Sequence, residues 1–154
     1  MKIREIKLLR ENVQGLLTYC KENEIKNMHL NLGLLSNFEI LSKEVTLIDK
    51  CIDPELIELE QKAQKLAEGK TDLILTLLSK DDLKKHSDLM VGYNELLNEE
   101  RNISLEVIDK DKLIQVITIK EEKIIVPIEF GVSEVSVLKF FFDDKNWEKS
   151  KKKK

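Results

Sequence analysis

The chain reads as an α+β fold, an antiparallel helical hairpin or bundle followed by a small antiparallel sheet and a C-terminal helix. Three observations predict it. Leu30, Leu34, Phe38, Leu41, Val45 and Ile48 recur at spacings of 4, 4, 3, 4 and 3, a long helical stripe. Asp53-Pro54 restarts the same rhythm at Leu56, Leu59, Ala63 and Leu66. After Asn102 the period drops to two, in a run rich in Ile and Val.

Composition agrees. Of 154 residues, 42% are hydrophobic and 36% charged, with only five Gly and two Pro. That disfavours a sandwich or barrel with many tight turns, and Leu, Ile, Lys and Glu are the vocabulary of helices. A single domain over residues 1–144 is expected, long enough for a core without staples.

The first helix is expected from about Lys7 to Lys21, on Leu9, Val13, Leu16, Leu17 and Cys20. Residues 2–6 suit either a short strand or a helix start. Gly15 weakens this helix without forbidding it, and Asn23, between two glutamates, reads as its end. Asn27 is placed to cap the spine helix, 27–50. Gly33 and Asn37 inside the spine mark either a weakness or a close crossing. The spine should pair with the helix after Asp53-Pro54, where Asp53 caps, Pro54 takes the first position, Ile52 can staple and Gly69 closes the end.

Residues 71–78 suit a buried helical turn or a strand, and the helical flanks favour helix. Ser79, Asp81 and Asp82 start a fresh helix to about Glu100. Its stripe is Leu83, Met90, Tyr93 and Leu97, widened by Leu89 and Leu96. Residues 103–108, 113–119 and 123–130 read as strands, with a turn at Glu121-Glu122 and with Pro127 marking an edge. A sheet of two or three strands needs a helix on one face. Gly131 and Ser133 open that helix, and Val135, Leu138, Phe141 and Phe142 form its docking stripe.

Chemistry is sparsely signalled. There is no phosphate-binding glycine loop, no H-E-x-x-H and no C-x-x-C. His29 reads as a capping or surface residue and His86 as a partly buried structural one. Cys20, on an apolar stripe, reads as a small buried hydrophobe, and Cys51 sits at a helix end with nothing beside it to activate a thiol. The acidic pairs lie at element ends, where capping and solvation account for them. Neither catalytic residues, nor a cofactor, nor a metal are therefore expected, and the chain is read as no enzyme.

The charge is uneven. Lys145–Lys154 holds six lysines against one glutamate, a local +5, so the other 144 residues carry −8 of the net −3. Such an end reads as a solvated, disordered tail. An acidic body repels a phosphate backbone, which leaves the lysine tail as the only route to nucleic acid. No signal peptide or membrane span is read, so a cytoplasmic location is expected. Phe140, Trp147, Lys149 and Lys151 are the candidate partner contacts: an aromatic in a triple Phe, a tryptophan among charges, and the basic end.

Three segments carry a resemblance. IKNMHLNLGLLSNFEILSKEVTLIDK (25–50), GYNELLNEERNISLEVIDKDKL (92–113) and GVSEVSVLKFFFDD (131–144) are similar to a family of small phage and prophage proteins with no assigned catalytic residues. They cover about two fifths of the chain. The resemblance implies a viral or mobile-element origin and work by contact inside the host cell: a protein that binds a host or viral protein as inhibitor or adaptor, or a virion or assembly component that self-associates through a helical face.

Overall fold

The structure, a computed structural model, describes residues 1–68 and 74–142. The element order is α1 (Ile3–Glu22), α2 (Met28–Asp49), α3 (Pro54–Ala67), α4 (Lys80–Asn98), β1 (Ile114–Ile119), β2 (Glu122–Pro127) and α5 (Val132–Leu138), the α+β architecture expected. Contacts divide the chain into two compact units, residues 1–5 with 44–102 and residues 6–43 with 103 onward.

In the first unit, α3 begins where its signals put it. The Asp53 carboxylate accepts from the Glu55 N–H at 2.9 Å and Pro54 takes the first position. Leu56, Leu59, Ala63 and Ala67 are its buried residues. Leu66, expected in the stripe, is exposed, because after Ala63 the next inward position lies four residues on. Glu68 ends the helix in the left-handed region, φ 46°. Gly69, expected in that role, lies outside the described residues, as do 71–73 of the ambiguous 71–78 run. Ile74–Leu77 form one 3-10 turn, shorter than the helix expected.

Ser79 then caps α4, its hydroxyl accepting from the Asp82 N–H at 3.2 Å. The buried residue of α4 is His86, whereas Leu83, expected on the stripe, is exposed. The hydrophobic stripes pointed to α2 as the partner of α3. The side-chain contacts of α3 run instead to α4: the ion pairs Lys62–Asp82 and Glu55–Lys85, and Glu60 facing His86, an antiparallel hairpin. Residues 2–6 resolve both ways. Lys2 forms a β-bridge with Glu100, and the helix starts at Ile3, whose N–H reaches the Glu99 carbonyl at 3.0 Å.

In the second unit, Leu9, Val13, Leu16 and Cys20 of α1 and Leu30, Leu34 and Leu41 of α2 supply most of the helical core. α1 closes with a Schellman motif: Glu24 is left-handed at φ 51°, and Ile25 donates back to the Cys20 carbonyl at 2.9 Å. The Arg10 guanidinium lies 5.3 Å from the centre of the Phe38 ring, a cation–π contact.

Three expectations fail in this unit. Residues 103–108 form no strand. Glu106 pairs its backbone with the Asn37 side chain of α2 and Ile108 with the carbonyl of Phe141, and no neighbouring strand supplies a ladder. The sheet therefore has two strands, and α5 does not cover it. Leu138 and Phe141 enter the core, with the Ile108 N–H donating to the Phe141 carbonyl at 2.7 Å, while no residue of either strand is buried. Ser133 does not cap α5. Gly131 stands at the cap position without a side-chain bond, and the Ser133 hydroxyl turns to the Glu134 carboxylate.

Candidate interaction surface

The surface is built on α2, whose first three turns carry polar groups that bind the backbone of residues 106–114. Asn27 caps α2 through its Oδ1, which accepts from the Leu30 N–H at 2.8 Å. Its amide Nδ2 donates to the carbonyls of Lys112 and Ile114, at 2.8 and 2.9 Å. His29 accepts the Asp109 N–H on Nε2 at 2.9 Å, so that nitrogen carries no proton. Asn37, fully buried, donates to the Glu106 carbonyl at 2.9 Å and accepts from the Glu106 N–H at 2.7 Å. Between them, Gly33 lets Ile108 in: a Cβ there would stand 2.8 Å from Ile108 Cγ1. The close crossing suspected at Gly33 and Asn37 is real, and residues 103–113 are strapped along the helix.

The strap sets the base of the hairpin. Leu113 and Ile128 are buried on either side of it, and the Ile128 N–H donates to the Leu113 carbonyl at 2.9 Å. From there β1 and β2 pair in the register Ile114–Pro127, Val116–Ile125, Thr118–Lys123 on one face and Gln115–Val126, Ile117–Ile124, Ile119–Glu122 on the other. The turn is Lys120-Glu121, one residue earlier than expected. Both have positive φ, 49° and 69°, as a two-residue type I′ turn demands.

Both faces of this ribbon are aliphatic, and both are open. Val116 is 63% exposed and Ile125 65%; Ile114, Ile119 and Ile124 are exposed too. A two-stranded ribbon with so much uncovered Ile and Val is marginal by itself. A second apolar stripe, Met28, Leu32 and Leu35, is exposed on α2.

Of the candidate contacts read from the sequence, Phe140 is 62% exposed while its neighbour Phe141 is buried. Helix α5 has ended by then, and the turn that follows sends successive side chains to opposite sides. Trp147, Lys149 and Lys151 lie outside the described residues. The hairpin was missed as a surface: Ile and Val on both faces read from sequence as a covered strand.

The thiols and histidines differ in burial and in partners. Cys20 is buried, and burial, with Glu134 nearby, pushes its thiol above the ordinary value. Cys51 is exposed and lies on an open cleft of about 320 Å³ in the first unit, lined also by Leu56, Asp88, Tyr93 and Leu96. His86 faces Glu60 at 3.5 Å from within the α3–α4 contact. Among the described residues no three His, Cys, Asp or Glu side chains are grouped as a metal site would need, and no helix is long and apolar enough to cross a membrane. Comparison with family profiles, curated proteins and solved structures gives no match.

Proposed function

We propose that the chain is a non-enzymatic protein-binding protein, acting as an inhibitor or adaptor on a host or viral protein, with the β1–β2 hairpin as its contact surface. The observation that carries this reading is the hairpin itself: two strands with no buried residue and aliphatic side chains on both faces. Burying such side chains against a partner is worth roughly 25 cal/mol for each Å² removed from water. Phe140 adds an exposed aromatic in the same unit. A phage or prophage origin, with work inside the host cell, fits this reading through the three segments quoted above and belongs to the proposal.

The test is affinity capture from bacterial lysate with the full chain and with a Val116→Lys, Ile125→Lys variant whose thermal unfolding matches the parent. A protein retained by the parent and lost by the variant supports the reading. Equal recovery by both, or no specific recovery by either, refutes it.

The second reading, a structural component that self-associates through a helical face, is favoured by the exposed Met28, Leu32 and Leu35 stripe. A Leu32→Glu variant that leaves the oligomeric state unchanged removes it.

A further inference from the structure

We propose that the cleft of the first unit, between the start of α3 and the middle of α4, binds a small organic cation: an ammonium group carried on an apolar body. The site is independent of the hairpin, which belongs to the second unit.

The apolar wall comes from how the two helices meet. Asp53-Pro54 starts α3 so that Ile52 stands just outside the helix and Leu56 inside its first turn. Leu89, Tyr93 and Leu96, at spacings of 4 and 3, share one face of α4. The space they line is about 320 Å³, at the small end of the range of about 300–1,000 Å³ for ligand pockets. Leu56 is buried and the other four are half-buried, so apolar surface is left in contact with water and gains by being covered. Gly92 keeps the cleft open on the α4 side. A glycine inside a helix lowers its stability, and a Cβ at this position meets nothing within 4 Å, so packing does not require it. A longer side chain there would take up the space of the cleft.

The charge of the cleft selects the ligand. Asp53 and Asp88 line it, and none of its lining residues is Lys, Arg or His. Asp53 is partly committed: its Oδ1 accepts from the Glu55 N–H, and the N-terminus of α3 draws on its charge. Asp88 makes no hydrogen bond or ion pair with a described residue, which makes it the main anchor. Lys85 lies close enough to act on Asp53 but is paired with Glu55. Exposed Glu95 and Glu99 continue the line of Asp88 along α4, two and three turns on, and extend the negative field. A carboxylate or phosphate is repelled by this arrangement, and a neutral apolar molecule leaves the aspartates unused. An ammonium group on an alkyl stem satisfies both the wall and the carboxylates, and Tyr93 adds an aromatic ring that attracts cations. A bare metal ion fits less well, since among the described residues no three His, Cys, Asp or Glu side chains are grouped to hold one.

Titration of the full chain with hexylammonium chloride, hexan-1-ol and sodium hexanoate tests this, read by amide NMR shifts and by the alkylation rate of Cys51. That thiol lines the cleft and is exposed, so a bound ligand should slow its reaction with iodoacetamide. For so small a probe the dissociation constant should be about millimolar, with hexylammonium held about three- to tenfold more tightly than hexan-1-ol and hexanoate not held. The amides of 51–56 and 88–96 should shift while those of β1 and β2 stay in place. Asp88→Asn should bring the ammonium and the alcohol to within about twofold of each other. Gly92→Leu should abolish binding of both, and thermal unfolding checks that each variant keeps the fold. Equal binding of ammonium and alcohol, a preference that survives Asp88→Asn, or binding that survives Gly92→Leu overturns the inference. So does the absence of any saturable shift up to about 50 mM hexylammonium. Protection of Cys51 by a lysine-rich peptide but not by hexylammonium overturns it too, and assigns the cleft to a protein partner.

Discussion

Asn37→Leu is the sharpest test of the strap. The side chain is fully buried and holds both backbone groups of Glu106, at 2.9 and 2.7 Å. Leucine has the branching and the number of side-chain heavy atoms of asparagine but is bulkier, so no cavity opens and the polar loss leads. Each lost hydrogen bond costs about 1 kcal/mol net, and a backbone group left facing a leucine costs about 1–3 kcal/mol more. Glu106 is itself exposed, so water can recover part of that second loss. The balance is a destabilisation of about 2–4 kcal/mol, which for a chain of this size lowers the melting temperature by about 5–12 °C. Circular dichroism melting measures it, with the exposed Asn12→Leu as control. Hydrogen exchange at the Glu106 amide should quicken about a hundredfold. If Asn37→Leu melts with Asn12→Leu and Glu106 exchange is unchanged, the strap is not held in this way and the reasoning fails.

Other outcomes follow from the same geometry. Gly33→Ala should destabilise by about 1–3 kcal/mol, because its Cβ would press on Ile108. Gly15→Ala meets nothing within 4 Å and should stabilise by about 0.5–1 kcal/mol, so denaturant midpoints should move in opposite directions. Lys120→Asn with Glu121→Gly should stabilise the hairpin by about 1–2 kcal/mol, read as slower exchange of the β1 amides, because both residues now hold positive φ without the side chains that favour it. Cys20 keeps its proton more tightly folded than unfolded, so the folded state binds more protons above the ordinary value of 9.0 and stability should fall as pH rises past it. Cys20→Ser should flatten that alkaline limb of the denaturation profile. Iodoacetamide should label exposed Cys51 in the folded chain and Cys20 only after unfolding.

What was legible in the sequence was local. Asp53-Pro54 and Ser79 set helix starts through side chains two and three residues from their targets, so they could be read directly. The stripe of α2 was legible as well, and Gly33 and Asn37 stood out because neither belongs in a helical core without a reason. Their partners, 69 residues or more along the chain, were not legible. An alternating run such as Ile103–Ile108 carries the same pattern whether a strand or a row of helix side chains satisfies its backbone. The same limit explains the hairpin. Ile and Val on both faces announce burial, but the covering element they called for, α5, sends Leu138 into the core, followed by Phe141 just beyond the helix. Phe140 could be nominated but not distinguished from Phe141, since the end of α5 decides which ring turns outward.

The strap joins two kinds of chemistry with different tolerance for change. On the side of α2 the work is done by particular side chains, Asn27, His29 and Asn37, and by the missing one at Gly33. On the other side it is done by peptide groups, which every residue but proline supplies alike. The two halves are therefore under unequal constraint as the sequence drifts. Ser104, Glu106 and Val107 can be exchanged for almost anything that is not proline, provided Ile108 still fills its place, whereas the four positions on α2 have few substitutes. A collection of functional variants should show this asymmetry, with substitutions accumulating along the strap and scarce on the helix that holds it.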